Sequence, residues 1–143
     1  KNVLATPESA RQARTQFESG FGDALITYEL EALQMKDRKM PIKIIMPRAT
    51  IFTDHTVVIT DRRMPQAKRE LVETFVKFLW SEESQRAFVK HHFRAISDPD
   101  LNKNESKFAK IEMPFTIDDF GGWQNAYPQI IENVWKYKVQ TMK

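Results

Sequence analysis

Gly20-Phe21-Gly22-Asp23-Ala24-Leu25-Ile26-Thr27-Tyr28-Glu29-Leu30-Glu31-Ala32-Leu33 is the stretch whose reading decides the fold. Two glycines and an aspartate make a tight connection. Ala24 to Tyr28 follows as an apolar run that reads as a buried strand, and Glu29 to Met35 reads as a short helix. A strand running directly into a helix is the first sign of a mixed α/β chain.

Upstream, Thr6-Pro7-Glu8 reads as a helix start, because Thr can cap free N–H groups and Pro fits the first helical position. Ala10, Ala13 and Phe17 then mark one face, and Gly20 closes the helix. Downstream, Lys36 to Pro41 is a polar loop and Ile42-Lys43-Ile44-Ile45-Met46 a second strand stopped by Pro47. Thr56-Val57-Val58-Ile59-Thr60 is rich in β-branched residues and reads as a third strand, ended by an Asp61-Arg62-Arg63 turn. From Gln66 to Trp80 the apolar residues Leu71, Val72, Phe75, Val76, Phe78 and Leu79 recur at helical spacing. Ser81, Glu82 and Glu83 look like the capped, acidic first turn of another helix reaching about His92. Asp98 to Lys110 is polar and reads as an exposed loop. Thr116-Ile117-Asp118-Asp119 reads as a capped helix start broken at Gly121-Gly122. A last amphipathic helix carries Ile130, Ile131, Val134, Trp135 and Tyr137.

At 143 residues, with 41% hydrophobic and 11% aromatic content, the chain has the apolar material for a core. Lys and Arg exceed Asp and Glu only by 22 to 19, with the signs interspersed. A nucleic-acid binder would show a clustered basic stripe, and the nearest candidate, Lys36 to Lys43, reads as a solvated turn. There is no cysteine, which excludes disulfides, thiolate metal sites and cysteine nucleophiles. No apolar run approaches the roughly 18 residues of a membrane span. The sequence opens on Lys1-Asn2-Val3-Leu4 with no initiator Met or signal segment, so whatever preceded it is expected to have been removed.

Candidate catalytic or metal groups each have a simpler reading. His91-His92 point about 100° apart on a helix and lack a third ligand on either face, so solvated helix-end histidines are expected. His55, beside Asp54, is expected to make a local hydrogen bond. Asp118 and Asp119 sit in a first helical turn, where negative charge is stabilising. Trp80, Trp123, Phe75, Phe78 and Phe88 are expected to be core, and Gly121-Gly122 lacks the lysine and spacing of a phosphate loop. No metal or cofactor is expected. The Thr6 to Ala10 helix start is the local feature of most interest for an anion, through free backbone N–H groups and the positive dipole end, although every helix has such an end and Glu8 on the same face would repel an anion.

The order of the pieces is more specific than any one of them. Ser9-Ala10-Arg11, Phe17, and then Gly20 to Leu33 resemble a stretch of sulfate-binding proteins that reads S/G-A-R, aromatic, G-x-G-D-V-L-I-x-W-E-N-E-A-L. Ile44-Ile45-Met46-Pro47 with Thr56 to Ile59 resembles the family's V-x-P segment and return strand. Phe78-Leu79-Trp80-Ser81-Glu82-Glu83-Ser84-Gln85 is similar to its Y-L-Y-S-P-E-x-Q junction. Phe93-Arg94 is similar to its Y/F-R, and Phe115 to Trp123 to its F-T-I-D-x-x-F-G-G-W.

This resemblance implies an α/β chain that is part of a type II periplasmic-binding-protein fold, a three-layer α/β lobe, here its C-terminal portion with several amphipathic helices. It implies the periplasmic receptor of an ABC importer, not an enzyme, closing over a dehydrated sulfate or related oxyanion held by neutral donors. Ala10 matches a backbone N–H donor, flanked by Ser9 and Arg11, and Tyr28 stands where the family places an indole N–H. A phenol is shorter and can accept as well as donate, which leaves molybdate and tungstate open beside sulfate. Residues 1–53 would form the end of the second ligand-binding lobe. Residues 54–143 would form the hinge return strand and C-terminal helices packing on the first lobe. The implied partners are ABC permease membrane subunits and, through the surface left by the missing lobe, a homodimer. An effector-sensing regulatory module and a fragment acting only as an interaction surface, for dimerisation or permease docking, are the alternatives.

Overall fold

Ser9, not Thr6, starts the first helix. In the computed structural model, which describes residues 2–53, 55–60 and 64–140, the Ser9 hydroxyl accepts a hydrogen bond from the Gln12 N–H at 3.2 Å. Helix α1 then runs Ala10–Glu18. Pro7 lies ahead of the cap because the stronger capping geometry is one serine further on. The helix ends in a Schellman arrangement: Phe21 N–H reaches the Gln16 carbonyl and Gly20 N–H the Phe17 carbonyl, with Gly20 at φ 86°. The same closure ends α2 (Glu29–Asp37) at Lys39.

The described residues form two compact units, Lys1–Thr53 with Ile111–Lys143, and Asp54–Lys110. The first contains α1, α2 and a two-stranded parallel sheet of β1 (Ala49–Ile51) and β2 (Met113–Phe115), paired Ala49 with Met113 and Ile51 with Phe115. Past β2, Thr116 and Asp119 form a reciprocal capping box on a 3-10 turn, Ile117–Phe120. Gly121 and Gly122 are both left-handed, and the chain continues as a short α-helix, Gly122–Ala126, then a π-helix, Tyr127–Gln140. Pro128 has no N–H to give the ordinary α-helical ladder, and the wider winding sets in beside it. A Cβ on Gly121 would meet the Asn125 Nδ2 at 2.6 Å, at φ 77°. Gly121→Ala is expected to destabilise this unit by about 1–2 kcal/mol, read from urea denaturation.

The second unit contains α3 (Gln66–Leu79), α4 (Glu82–Lys90) and a short helix, α5 (Asp100–Lys103). Ser81 caps α4 through the Ser84 N–H at 3.3 Å, with Glu82 and Glu83 in the first turn and Lys90 in the last, as the helix dipole favours. Residues 98–110 differ from the expected loop: Asp98 accepts from the Asp100 N–H and turns the chain into α5, and Asn102 holds both the N–H and the carbonyl of Ala95. Lys103 Nζ lies 2.6 Å from Asp100, holding that carboxyl below its ordinary pKa and the ammonium above its own. Any stability this exposed pair lends is present above the ordinary Asp pKa and fades as pH falls through the lowered one.

The expected strands at 24–28, 42–46 and 56–60 are not paired into sheet. Residues 24–28 keep the two-residue alternation of an extended chain, with Leu25 and Thr27 half-buried and Ala24, Ile26 and Tyr28 exposed. No neighbouring strand lies beside any of the three among the described residues, and an unpaired strand leaves its amides to water. The Asp61-Arg62-Arg63 turn lies outside the described residues. The aromatic side chains expected in a core also differ: Phe75, Phe78, Trp80 and Trp123 are exposed and Phe88 is half-buried. Helical periodicity shows that a face is apolar, not that this chain supplies its cover. The buried apolar residues are few, Leu33, Met35 and Ala126 in the first unit and Val89, Ala95 and Phe108 in the second.

Candidate functional site

Helices α1 and α2 run parallel. Arg14 Nη1 lies 2.5 Å from Glu31 Oε2 and 2.7 Å from Gln34 Oε1, and Arg38 bonds Glu18. The pairs ascend together, 14 with 31 and 34 and 18 with 38, so the two helices run in the same sense and their starts point toward one end. The Ala10 and Arg11 N–H groups and the positive dipole end of α1 belong to that end.

Each sequence-derived candidate has a definite place at that end. Ser9 is the exposed N-cap of α1, with its hydroxyl oxygen engaged by Gln12. Ala10, half-buried, is the first helical residue, and Ala13 is the first to bond back, to the Ser9 carbonyl at 3.0 Å. The Ala10 and Arg11 N–H groups thus stand ahead of the ladder, with the Arg11 side chain in solvent. Tyr28 is the N-cap of α2, 55% exposed, with no capping bond from its own side chain. Its carbonyl closes the first turn by accepting from Glu31 and Ala32. Glu8 is exposed beside this end.

What sequence reading missed is the device that aligns the helices. Arg14, Glu18, Glu31, Gln34 and Arg38 are common surface residue types, and their partners lie 17 and 20 positions away. No local spacing rule points to such pairs. They border an open groove of about 400 Å³ lined by Arg14, Gln34, Asp37 and Arg38.

The other candidates behave as ordinary structure. His91 is exposed, and His92 ends α4 in a left-handed conformation, φ 72°, with its N–H on the Val89 carbonyl. The His55 ring packs edge-on against Phe93, centroids 5.3 Å apart, while Asp54 lies outside the described residues. Among the described residues no group of three or more His, Asp or Glu is placed to hold a metal, and no helix is long and apolar enough to cross a membrane.

Comparison with known proteins gives a consistent set of relatives. The sulfate-binding protein of Escherichia coli is 33% identical over 138 residues, covering 93% of this chain and 42% of that protein. The sulfate-binding protein of Synechocystis is 29% identical, covering 92% of this chain and 38% of its own length. The thiosulfate-binding protein of Pseudomonas aeruginosa is 26% identical, covering 87% and 39%. The chain therefore spans about two fifths of the length of the curated relatives it matches. No solved structure matches it. The model of bacterial extracellular solute-binding proteins matches residues 1–94, and with most of the chain covered in this way, from the free end of α1 to the close of α4, the chain belongs to that family.

Proposed function

We propose that this chain is the C-terminal part of the extracytoplasmic, periplasmic solute-binding component of an ABC importer, and that it takes part in capturing a tetrahedral oxyanion, sulfate first. Ser9, Ala10, Arg11 and Tyr28 are the proposed ligand-binding residues. Residues 1–53 are assigned to the second ligand-binding lobe, and 54–143 to the hinge return strand and the helices that pack on the first. ABC permease subunits are the proposed partner, and the role is binding, not catalysis.

The observation that carries this reading is the start of α1, where the Ala10 and Arg11 N–H groups stand ahead of the helical ladder, beside an α2 that begins at Tyr28 and is tied to α1 through Arg14. Neutral donors fixed at helix ends can replace the hydration of a fully ionised anion and select it by hydrogen-bond geometry. The names of the relatives, all sulfate- or thiosulfate-binding proteins, support the same ligand class.

Calorimetric titration of sulfate, molybdate and phosphate into the protein that carries this chain tests the reading. Saturable binding of sulfate in preference to phosphate is expected, and no heat from any of the three anions sinks it. Light scattering in the same buffer tests a homodimer, a reading favoured by the apolar side chains that this chain leaves in solvent, such as Leu71 and Phe75.

A further inference from the structure

We propose that Arg14 is a positioning residue for the anion site, a brace that sets the relative height of the two helix starts; this rests on the oxyanion reading above. Its side chain is 17% exposed, and that of Glu31 is 14% exposed, so the pair is shielded from the water that weakens surface ion pairs. One guanidinium nitrogen spans two successive levels of α2, Glu31 and Gln34, while Nε lies 3.4 Å from Glu18 on its own helix. Glu18 in turn holds Arg38 at the far end of α2.

Apolar packing does little to fix this register, because α1 buries no residue fully. A slip of one residue along the helix axis is about 1.5 Å, which breaks the arginine's contacts. It also moves the Ala10 and Arg11 donors by the same distance relative to Tyr28. Hydrogen bonds to an anion tolerate only a few tenths of an ångström, so the brace governs whether both helix starts reach the same oxygen set. Lysine offers one nitrogen for Glu31 and Gln34 and has no second nitrogen to keep the Nε contact with Glu18 on its own helix.

This chain has no cysteine, so with any cysteine elsewhere in the protein replaced, paired spin labels at Thr15→Cys and Lys36→Cys report the spacing of α1 and α2 directly. In the protein that carries this chain, Arg14→Gln is expected to broaden the label distance distribution and to lower sulfate affinity at least tenfold. Arg14→Lys should fall between, and the exchange of Arg14→Glu with Glu31→Arg should recover part of the affinity. A folded Arg14→Gln protein with unchanged sulfate affinity overturns the proposal, whatever its melting temperature. So does an unchanged distance distribution. If the unmutated protein binds no oxyanion while the distribution still broadens in Arg14→Gln, the oxyanion reading fails and only the helix register is left to the brace.

Discussion

Replacing Gln85 by leucine is expected to destabilise the 54–110 unit by about 2–4 kcal/mol, because three backbone groups lose their partner, at about 1–3 kcal/mol for a fully stranded group and less where water can take over. Gln85 is 3% exposed and ties three segments together. Its amide nitrogen donates to the Leu79 carbonyl at 2.8 Å, at the end of α3, and its carbonyl accepts from the Ile96 N–H at 2.8 Å and the Ser97 N–H at 3.4 Å. Leucine matches the volume but offers the Leu79 carbonyl and the Ile96 and Ser97 N–H groups no partner. Hydrogen exchange checks the mechanism: the Ile96 amide should lose protection by at least as much as the global stability falls. Protection equal to that of the unmutated protein would show that another acceptor takes over.

The second large effect concerns binding. Ala10→Pro should leave stability within about 0.5 kcal/mol of the starting protein and weaken sulfate binding by about 1.5–3 kcal/mol, roughly 10- to 150-fold. Proline is at home in the first helical position, where its missing N–H removes no bond from the ladder. It also asks the preceding residue to be extended, and Ser9 is already at φ −142°, ψ 153°. The substitution therefore deletes one backbone donor and little else. Tyr28→Phe tests the phenol on the same titration, with an expected loss of about 1–3 kcal/mol, whereas Arg11→Ala removes a solvated side chain and should change affinity far less. Unchanged sulfate affinity in Ala10→Pro would remove the Ala10 amide from the site.

Helix caps were legible for two helices and misplaced for the first, where Ser9 caps and Thr6 does not; caps are decided by residues three apart. Ser81 and Thr116 cap where the sequence places them, and Gly20 and Gly121 take the left-handed turns expected of glycine. The strands were least legible. Ile42 to Met46 and Thr56 to Thr60 have strand composition, but pairing depends on a neighbour that no local pattern supplies. The pair that does form joins Ala49–Ile51 to Met113–Phe115, two three-residue segments, one with a proline at its centre. Nothing within either segment marks the other. At the candidate site, Ser9 and Tyr28 were named by resemblance and the cap was expected at Thr6 instead of Ser9, while Arg14 required the spatial neighbours Glu31 and Gln34.

The parallel pairing of Ile51 with Phe115 also sets a schedule for synthesis. Phe115 follows Ile51 by 64 positions, and the whole of the 54–110 unit is translated between them. At about 5–20 residues per second a ribosome needs roughly 3–13 s to bridge that interval. During it β1 waits with no partner and with Ile51 and Phe52 turned to solvent, while the intervening unit can already condense around Val89, Ala95 and Phe108. The inserted unit is therefore in a position to fold first and the enclosing one last, when β2 emerges to pair with β1.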